Sequence, residues 1–422
     1  MGFVLSVRRL NRVLAGTPYG RYTIGNLSTS SGMWMIRLST GWIGWELTQS
    51  AIWLGVLAFA DLVPAIACAP IAGVLADRMD RLVLLRRTIA IGMVVSACVA
   101  AAFYAGVLGI WLLTTLTLLQ GIINSLTQPV RLTIVSELVA RVDVPQAVAI
   151  NAISFNVARF LGPMVGGAII VMDGAGPTFL LNIALAAIFL QQLRGLVGRP
   201  VGDKPREAIF ANALAGMHYL LAHRNVLPLL LQAACIGLSV RPVAELLPAI
   251  AEKLYSGGAF TLTLLTSSMG LGALLGCVWF SGLGTLSRVI LLIGVNGLIA
   301  AAANILVAFG PLLSTNANVS LALGMVAMAA TGFGTVTSGV AMQTTLQLVV
   351  EDSVRGRTMS SYAMIVRAAP ALGALVLGIL AERFGLQIAV VITAPICLLS
   401  SLWILLRRES IQAELDRSLY AN

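Results

Sequence analysis

The sequence predicts an all-α integral membrane protein with twelve transmembrane helices, arranged as two parallel six-helix repeats. Three observations lead there. Hydrophobic residues make up 58% of the 422 residues and charged residues only 10%, against roughly 25% charged in soluble globular proteins. The apolar residues fall in runs of about 20, each long enough to cross roughly 30 Å of hydrocarbon as a helix. The positive charges are sorted between the breaks that separate those runs.

In chain order the runs are 22–45, 51–75, 84–106, 110–131, 147–171, 176–193, 226–250, 260–282, 288–309, 318–346, 359–381 and 385–406. The opening MGFVLSVRRLNRVL has neither an uninterrupted apolar core nor a small-residue cleavage site, so it does not read as a cleaved signal peptide. With both termini in the cytoplasm, 21 of the 27 Lys and Arg lie on the inner side, while Lys253 and Arg383 lie outside and Arg37, Arg159, Arg241 and Arg367 fall within spans. Such a bias sets orientation. Trp42, Trp45, Trp53, Trp111 and Tyr255 gather near the predicted outer ends, where an interfacial aromatic belt is expected.

The net charge of +10 is therefore mostly topogenic. There is no basic stripe with interleaved aromatics, and nucleic acid is not an expected partner. The five cysteines lie far apart within spans without metal-ligand spacing. His218 and His223 fall on the central loop, where Phe210, Leu214, Met217 and Leu221 recur at helical spacing and suggest an amphipathic helix on the inner leaflet. No phosphate loop, nucleophile elbow or zinc signature occurs. No enzyme, metal or cofactor is expected. The expected partners are a small molecule and the lipid bilayer, and a monomer is compatible with the sequence.

The longest connection divides the chain into an N-terminal bundle (1–193), a central cytoplasmic loop (194–225) and a C-terminal bundle (226–422). GVLADRMDRLVLL (73–85) recurs in degenerate form 208 positions later as SGLGTLSRVILL (281–292). The same offset takes Arg159 to Arg367, each followed by a proline within four residues. Six spans per half give both halves the same orientation, a parallel repeat.

GVLADRMDR resembles the loop signature G-x-x-x-D-[RK]-x-G-[RK] of the major facilitator superfamily: Gly73, Asp77, Arg78 and Arg81 match, while Asp80 replaces the second glycine. GPMVGG resembles the GPxxGG core of that superfamily's exporter motif through Gly162, Pro163, Gly166 and Gly167, with Ala158 replacing an upstream glycine. WELTQSAIWLG, RFLGPMVGGAI and VRGRTMSSY are similar to the drug:proton antiporter branch, which includes macrolide efflux pumps and enterobactin-type siderophore exporters. The resemblance covers essentially the whole chain. It implies a secondary active exporter in a bacterial inner membrane, moving a small amphipathic organic compound by alternating access with the proton gradient as energy source. GPxxGG makes an uptake carrier a poorer fit. A lysophospholipid flippase of the same fold and a transport-inactive sensor or assembly partner are the rival readings.

The chemistry can also be read from the residues. Asp77 can cap a helix end or pair with basic groups, and Arg78 and Arg81 can bridge the halves in one state and release in the other, a latch of charge-assisted hydrogen bonds. The alternative is that these residues only set orientation. Arg37, Asp61, Arg159, Arg241, Glu245 and Arg367 lie well inside spans. Unpaired, six such charges would cost roughly 15–20 kcal/mol, so they are expected to be paired, hydrated or both. Arg37 and Asp61 are level by depth, and Arg241 and Glu245 are four apart on one span. Each pair is a candidate proton-linked switch or a permanent ion pair. Thr117 stands where the superfamily's R-x-x-Q-G context has arginine, which excludes coupling through that residue.

Thr117, Gln120, Asn124, Gln128 and Arg131 form a polar stripe on span 4, echoed on span 10 by Thr331, Thr335 and Ser338. The stripes read as a wet cavity wall or as helix–helix hydrogen bonds. With Met33, Trp34, Met342 and Tyr362 nearby, a mixed cavity suits amphipathic organic cargo. In NVARFLGPMVGG the glycines permit close packing and Pro163 a bend. Arg159 faces the cavity, where it and Arg367 favour anionic cargo, or holds carbonyls freed by the proline.

Overall fold

A computed structural model describes residues 14–68, 75, 79–196, 226–283, 288–350 and 352–421. All regular structure among them is helical. Each expected span carries a helix among the described residues: α1 (Pro18–Thr48), α2 (Ala51–Leu62, followed by a turn of helix at Pro64–Ala67), α3 (Arg81–Tyr104), α4 (Ile110–Glu137), α5 (Val144–Asp173), α6 (Gly176–Gln192), α7 (Leu227–Ser239), α8 (Ala259–Ser281), α9 (Val289–Leu313), α10 (Ala317–Val349), α11 (Asp352–Phe384) and α12 (Leu386–Leu406). A further helix, α13 (Arg408–Ala421), follows. Among the described residues, nine helices are long and apolar enough to cross a membrane, and the α2 segment and α6 are shorter apolar helices.

Local chemistry sets the ends. Asp80, which departs from the loop signature, is the N-cap of α3 and accepts hydrogen bonds from the amides of Leu82 (2.8 Å) and Val83 (3.1 Å). The joints α5–α6 and α11–α12 each turn on one glycine in the left-handed region, Gly174 (φ 78°) and Gly385 (φ 87°). These are corresponding places in the two halves of the sequence.

Prolines inside α5, α9 and α11 remove the amide that would bond the carbonyl four residues earlier. Two of those carbonyls receive side-chain donors instead. The Tyr255 hydroxyl donates to Val307 (2.8 Å), four before Pro311, and Arg241 Nη1 donates to Val366 (3.5 Å), four before Pro370.

Span 7 departs from expectation. The helix expected over 226–250 ends at Ser239, passes through a 3-10 turn at Arg241–Ala244 and resumes as a short helix at Leu247–Lys253. Pro242 is the physical reason, since it lacks the amide proton and its ring opposes the preceding turn. Arg241 and Glu245 therefore do not sit on one α-helical face. The break is held from outside: Asn304 Nδ2 donates to the Val240 carbonyl (2.8 Å), and its Oδ1 accepts from the Thr331 hydroxyl (3.0 Å).

The aromatic belt is also corrected in part. Trp111 is 74% exposed, but Trp45 is fully buried and Trp42 nearly so. Trp45 has an indole N–H that seeks an acceptor; it donates to Glu252 Oε2 (2.7 Å), and Lys253 Nζ lies 4.9 Å from the ring centre.

The chain forms two compact units: residues 1–43 with 67–206, and residues 44–66 with 207–422. The first has a core around Tyr19, Tyr22, Leu85, Ile134 and Phe189. The second has its own around Leu229, Ile236, Ile293, Met342 and Leu346.

Candidate substrate site

In the first unit, α5 crosses α1 at the GPMVGG motif. A Cβ on Gly162 would lie 2.6 Å from the Ser31 carbonyl oxygen and 2.8 Å from Trp34 Cβ; one on Gly166 would lie 2.6 Å from Met35 Cγ. Only glycine admits this approach. Pro163 and Gly167 are buried beside them, and α5 runs through Pro163 without interruption.

The crossing brings two expected site residues onto one aromatic ring. The Arg159 guanidinium carbon lies 5.2 Å from the centre of the Trp34 indole and that of Arg37 lies 5.8 Å from it. Both distances are within cation–π range. Phe155 meets the same indole edge-on at 5.9 Å. Arg37, Trp34 and Arg159 are half-buried near the middles of their helices.

The α4 stripe divides by function. Thr117 turns back onto the Leu113 carbonyl (2.8 Å), and Gln120 Nε2 donates to Asn124 Oδ1 (3.3 Å). These residues and Gln128 are half-buried. Arg131 belongs to the helix packing: it donates to Asn26 Oδ1 (2.9 Å) and Thr29 Oγ1 (3.3 Å) on α1 and lies 5.5 Å from the Phe189 ring. Of the expected latch, Gly73, Asp77 and Arg78 lie outside the described residues. Arg81 pairs with Glu137 at the end of α4, an ion pair within the same unit.

In the second unit, α2 packs closely on α11. A Cβ on Gly55 would lie 2.6 Å from the Ala374 carbonyl oxygen, and one on Gly378 2.6 Å from that of Ala51. Along this contact the Asp61 charge acts on Arg367. At the start of α2, Glu382 Oε2 accepts from Ser50 Oγ (3.1 Å) and the Ala51 amide (2.9 Å), favourable for an anion at a helix N-terminus. Glu382 was invisible as a functional candidate because its partners lie over 300 positions away.

Arg241, Thr335, Gly339, Met342, Tyr362 and Val366 line a small cavity with apolar residues of α7. The Tyr362 hydroxyl donates to the Gly339 carbonyl (3.2 Å). Thr335, Met342 and Tyr362 thus meet at this small cavity. Thr331 and Ser338 instead turn into α9, bonding Asn304 (3.0 Å) and the Ile293 carbonyl (3.3 Å). Those two act as helix–helix hydrogen bonds. Glu245 follows the 3-10 turn and is half-buried.

Solved transporters share this fold. A POT family transporter in complex with 5-aminolevulinic acid superposes with a TM-score of 0.74 at 13% identity, covering 93% of this chain and 96% of that one. The nucleoside transporter NupG gives 0.69 at 14% identity, covering 92% and 98%. The protein therefore has the fold of these transporters. Within that class, the chain belongs to the transmembrane secretion effector family, whose profile matches residues 19–418. Among its relatives, the enterobactin exporter EntS of Escherichia coli O1:K1 / APEC is 28% identical over 337 residues, 79% of this chain and 76% of that protein. The staphyloferrin A transporter of Staphylococcus aureus (strain NCTC 8325 / PS 47) is 29% identical over 150 residues, 35% of this chain but only 38% of that protein. These relationships identify an export transporter.

Proposed function

We propose that the protein exports a small amphipathic organic compound, siderophore-like in character, from the cytoplasm across a bacterial inner membrane. Transport proceeds by alternating access of an N-terminal bundle (1–193) and a C-terminal bundle (226–422), with both termini cytoplasmic. Gly73, Asp77, Arg78 and Arg81 serve as the conformational latch. Arg37, Arg159, Arg241, Glu245 and the polar residues beside them serve the cargo path. Asp61, opposed by Arg367 across the tight α2–α11 contact, carries the proton of an antiport cycle.

The observation that carries the proposal is the pair of guanidiniums gathered on Trp34 at the α1–α5 crossing, in a chain whose family is named for secretion. A charge at bilayer mid-depth costs about 2.5–3.5 kcal/mol, so charges kept there mark a polar path by default. The relatives named for enterobactin and staphyloferrin A direct the cargo toward siderophores.

The test is a comparison of metabolites retained by cells with those released, by mass spectrometry under iron limitation, with the gene deleted or restored. A siderophore trapped inside only without the gene is the expected result. Identical secreted profiles would overturn siderophore export and bring lipid flipping forward.

A further inference from the structure

We infer that Arg87 and Arg194, with Arg21 and Arg86 behind them, bind the phosphate of an anionic phospholipid at one end of the first unit; the site is independent of the cargo. Three helices meet there. Arg21 on α1 donates from Nη2 to the Arg194 carbonyl (2.7 Å). Arg86 on α3 donates from Nη2 to the carbonyls of Leu193 (2.6 Å) and Leu196 (3.0 Å). The carbonyls of Leu193 and Arg194 are adjacent in the turn that ends α6, so the two guanidiniums are held beside consecutive residues. The same turn carries the exposed side chain of Arg194, and the exposed Arg87 follows Arg86 directly.

The charge gathered at this turn exceeds what the surrounding helices supply to balance it. A helix C-terminus offers about half a negative charge. Among the described residues at this end of α1, α3 and α6, the one acid is Asp80, and its Oδ1 accepts from the amides of Leu82 and Val83. Arg81, a further arginine here, has its own partner in Glu137. A phosphodiester is the complementary anion, since a guanidinium meets it through paired hydrogen bonds.

The surface beside the arginines identifies the anion as a lipid headgroup. On α3 the exposed residues Arg87, Ile91, Val94 and Cys98 lie in one stripe, apolar beyond the arginine. On α6 the exposed residues Leu180, Ala184, Ile188 and Gln191 lead to Arg194 in the same way. The helices adjoin, with Asn182 Nδ2 donating to Ser96 Oγ (2.9 Å). From Arg87 to Cys98 a helix rises about 16 Å, close to the roughly 15 Å of one leaflet's hydrocarbon. An acyl chain lying along these stripes brings its phosphate to the arginines. The cationic headgroups of phosphatidylethanolamine and phosphatidylcholine would add positive charge to the cluster, so phosphatidylglycerol is the better fit. In the orientation proposed above, the lipid belongs to the inner leaflet.

The experiment titrates the purified full-length protein in detergent with phosphatidylglycerol, phosphatidylcholine and inorganic phosphate, and reads bound lipid by native mass spectrometry. Wild type is compared with Arg87→Gln, Arg194→Gln, the double variant, Arg87→Lys and, in the second unit, Arg408→Gln, whose side chain is also exposed. The substitutions at 87 and 194 leave the grip on α6 in place, because Arg21 and Arg86 hold main-chain carbonyls. Wild type should prefer phosphatidylglycerol to phosphatidylcholine. Each glutamine should weaken phosphatidylglycerol about 5-fold, and the pair about 25-fold, with phosphatidylcholine unchanged. Arg87→Lys keeps the charge and should stay nearer wild type, and Arg408→Gln should match wild type.

Equal binding of the two lipids by wild type would overturn the site. So would a loss in Arg408→Gln as large as in the double variant, since any surface charge would then serve. Displacement of the lipid by an equal concentration of inorganic phosphate would assign the arginines to a free oxyanion and overturn the lipid assignment. Should the double variant not fold, the single substitutions and the wild-type preference still decide the matter.

Discussion

The same substitution, glycine to alanine, should have opposite signs at two helical positions of this protein. Gly339 lies in the middle of α10, and a Cβ there meets nothing within 4 Å. Gly339→Ala should therefore show only the intrinsic helix preference and stabilise by about 1 kcal/mol. Gly162 gains the same preference but meets the Ser31 carbonyl oxygen at 2.6 Å, Trp34 Cβ at 2.8 Å and the Met35 amide nitrogen at 3.2 Å, where ordinary contact begins at 3.4 Å. The nearest of these atoms is backbone and cannot rotate away. The helices must part by several tenths of an ångström, and overpacking of this kind costs about 1–3 kcal/mol. The net for Gly162→Ala should be a loss of about 1–2 kcal/mol, near the upper part of that range because the obstacle is rigid. Reversible unfolding of the purified protein in mixed micelles, followed by tryptophan fluorescence, measures both. Equal stabilisation by the two substitutions would refute the claim that GPMVGG exists to bring α5 onto α1.

Three further outcomes follow from the geometry. Asn304→Leu should cost about 1–3 kcal/mol, because it strands the Val240 carbonyl and the Thr331 hydroxyl in the interior; the same unfolding assay reads it. Glu382→Gln should cost about 0.5–1 kcal/mol by removing an anion from the start of α2, and high salt should narrow the difference from wild type. Tyr255 lies in the loop before α8, and burial pushes its phenol up from 10.0 to about 12. Its bond to Val307 needs the proton, so this contribution is whole below pH 10 and fades as pH rises toward 12. Tyr255→Phe should lose about 1 kcal/mol at neutral pH and show a shallower alkaline decline than wild type.

The spans were legible because hydrocarbon thickness imposes both length and apolarity, and all twelve expected runs carry helices. What hydropathy could not register was the break at Pro242, since a 3-10 turn and a helix of the same residues have the same apolarity. The close crossing at GPMVGG was legible: three glycines around a proline predicted tight packing, and Gly162 and Gly166 lie in it. Trp34 was read only as cavity lining, yet it is the surface on which Arg37 and Arg159 meet. Depth along a helix places a residue at a level in the membrane without fixing the direction in which it faces. For that reason Asp61 could be matched to Arg37 by level, while its electrostatic influence on Arg367 could not be read from the sequence. The polar stripe of α10 divides for a related reason, with Thr335 at the small cavity and Thr331 and Ser338 bonded to α9. Threonine and serine satisfy a neighbouring helix as readily as they line water, and Asn304 on α9 was there to receive Thr331.

The most direct test of the central claim is transport by the purified protein in sealed proteoliposomes under an imposed pH gradient, using the compound identified in the cell extracts. That compound should move against the proton flux, with movement abolished when the gradient is collapsed and greatly slowed by Asp61→Asn. Movement that is indifferent to both the gradient and Asp61 would contradict proton-coupled export, and no movement at all would contradict export itself.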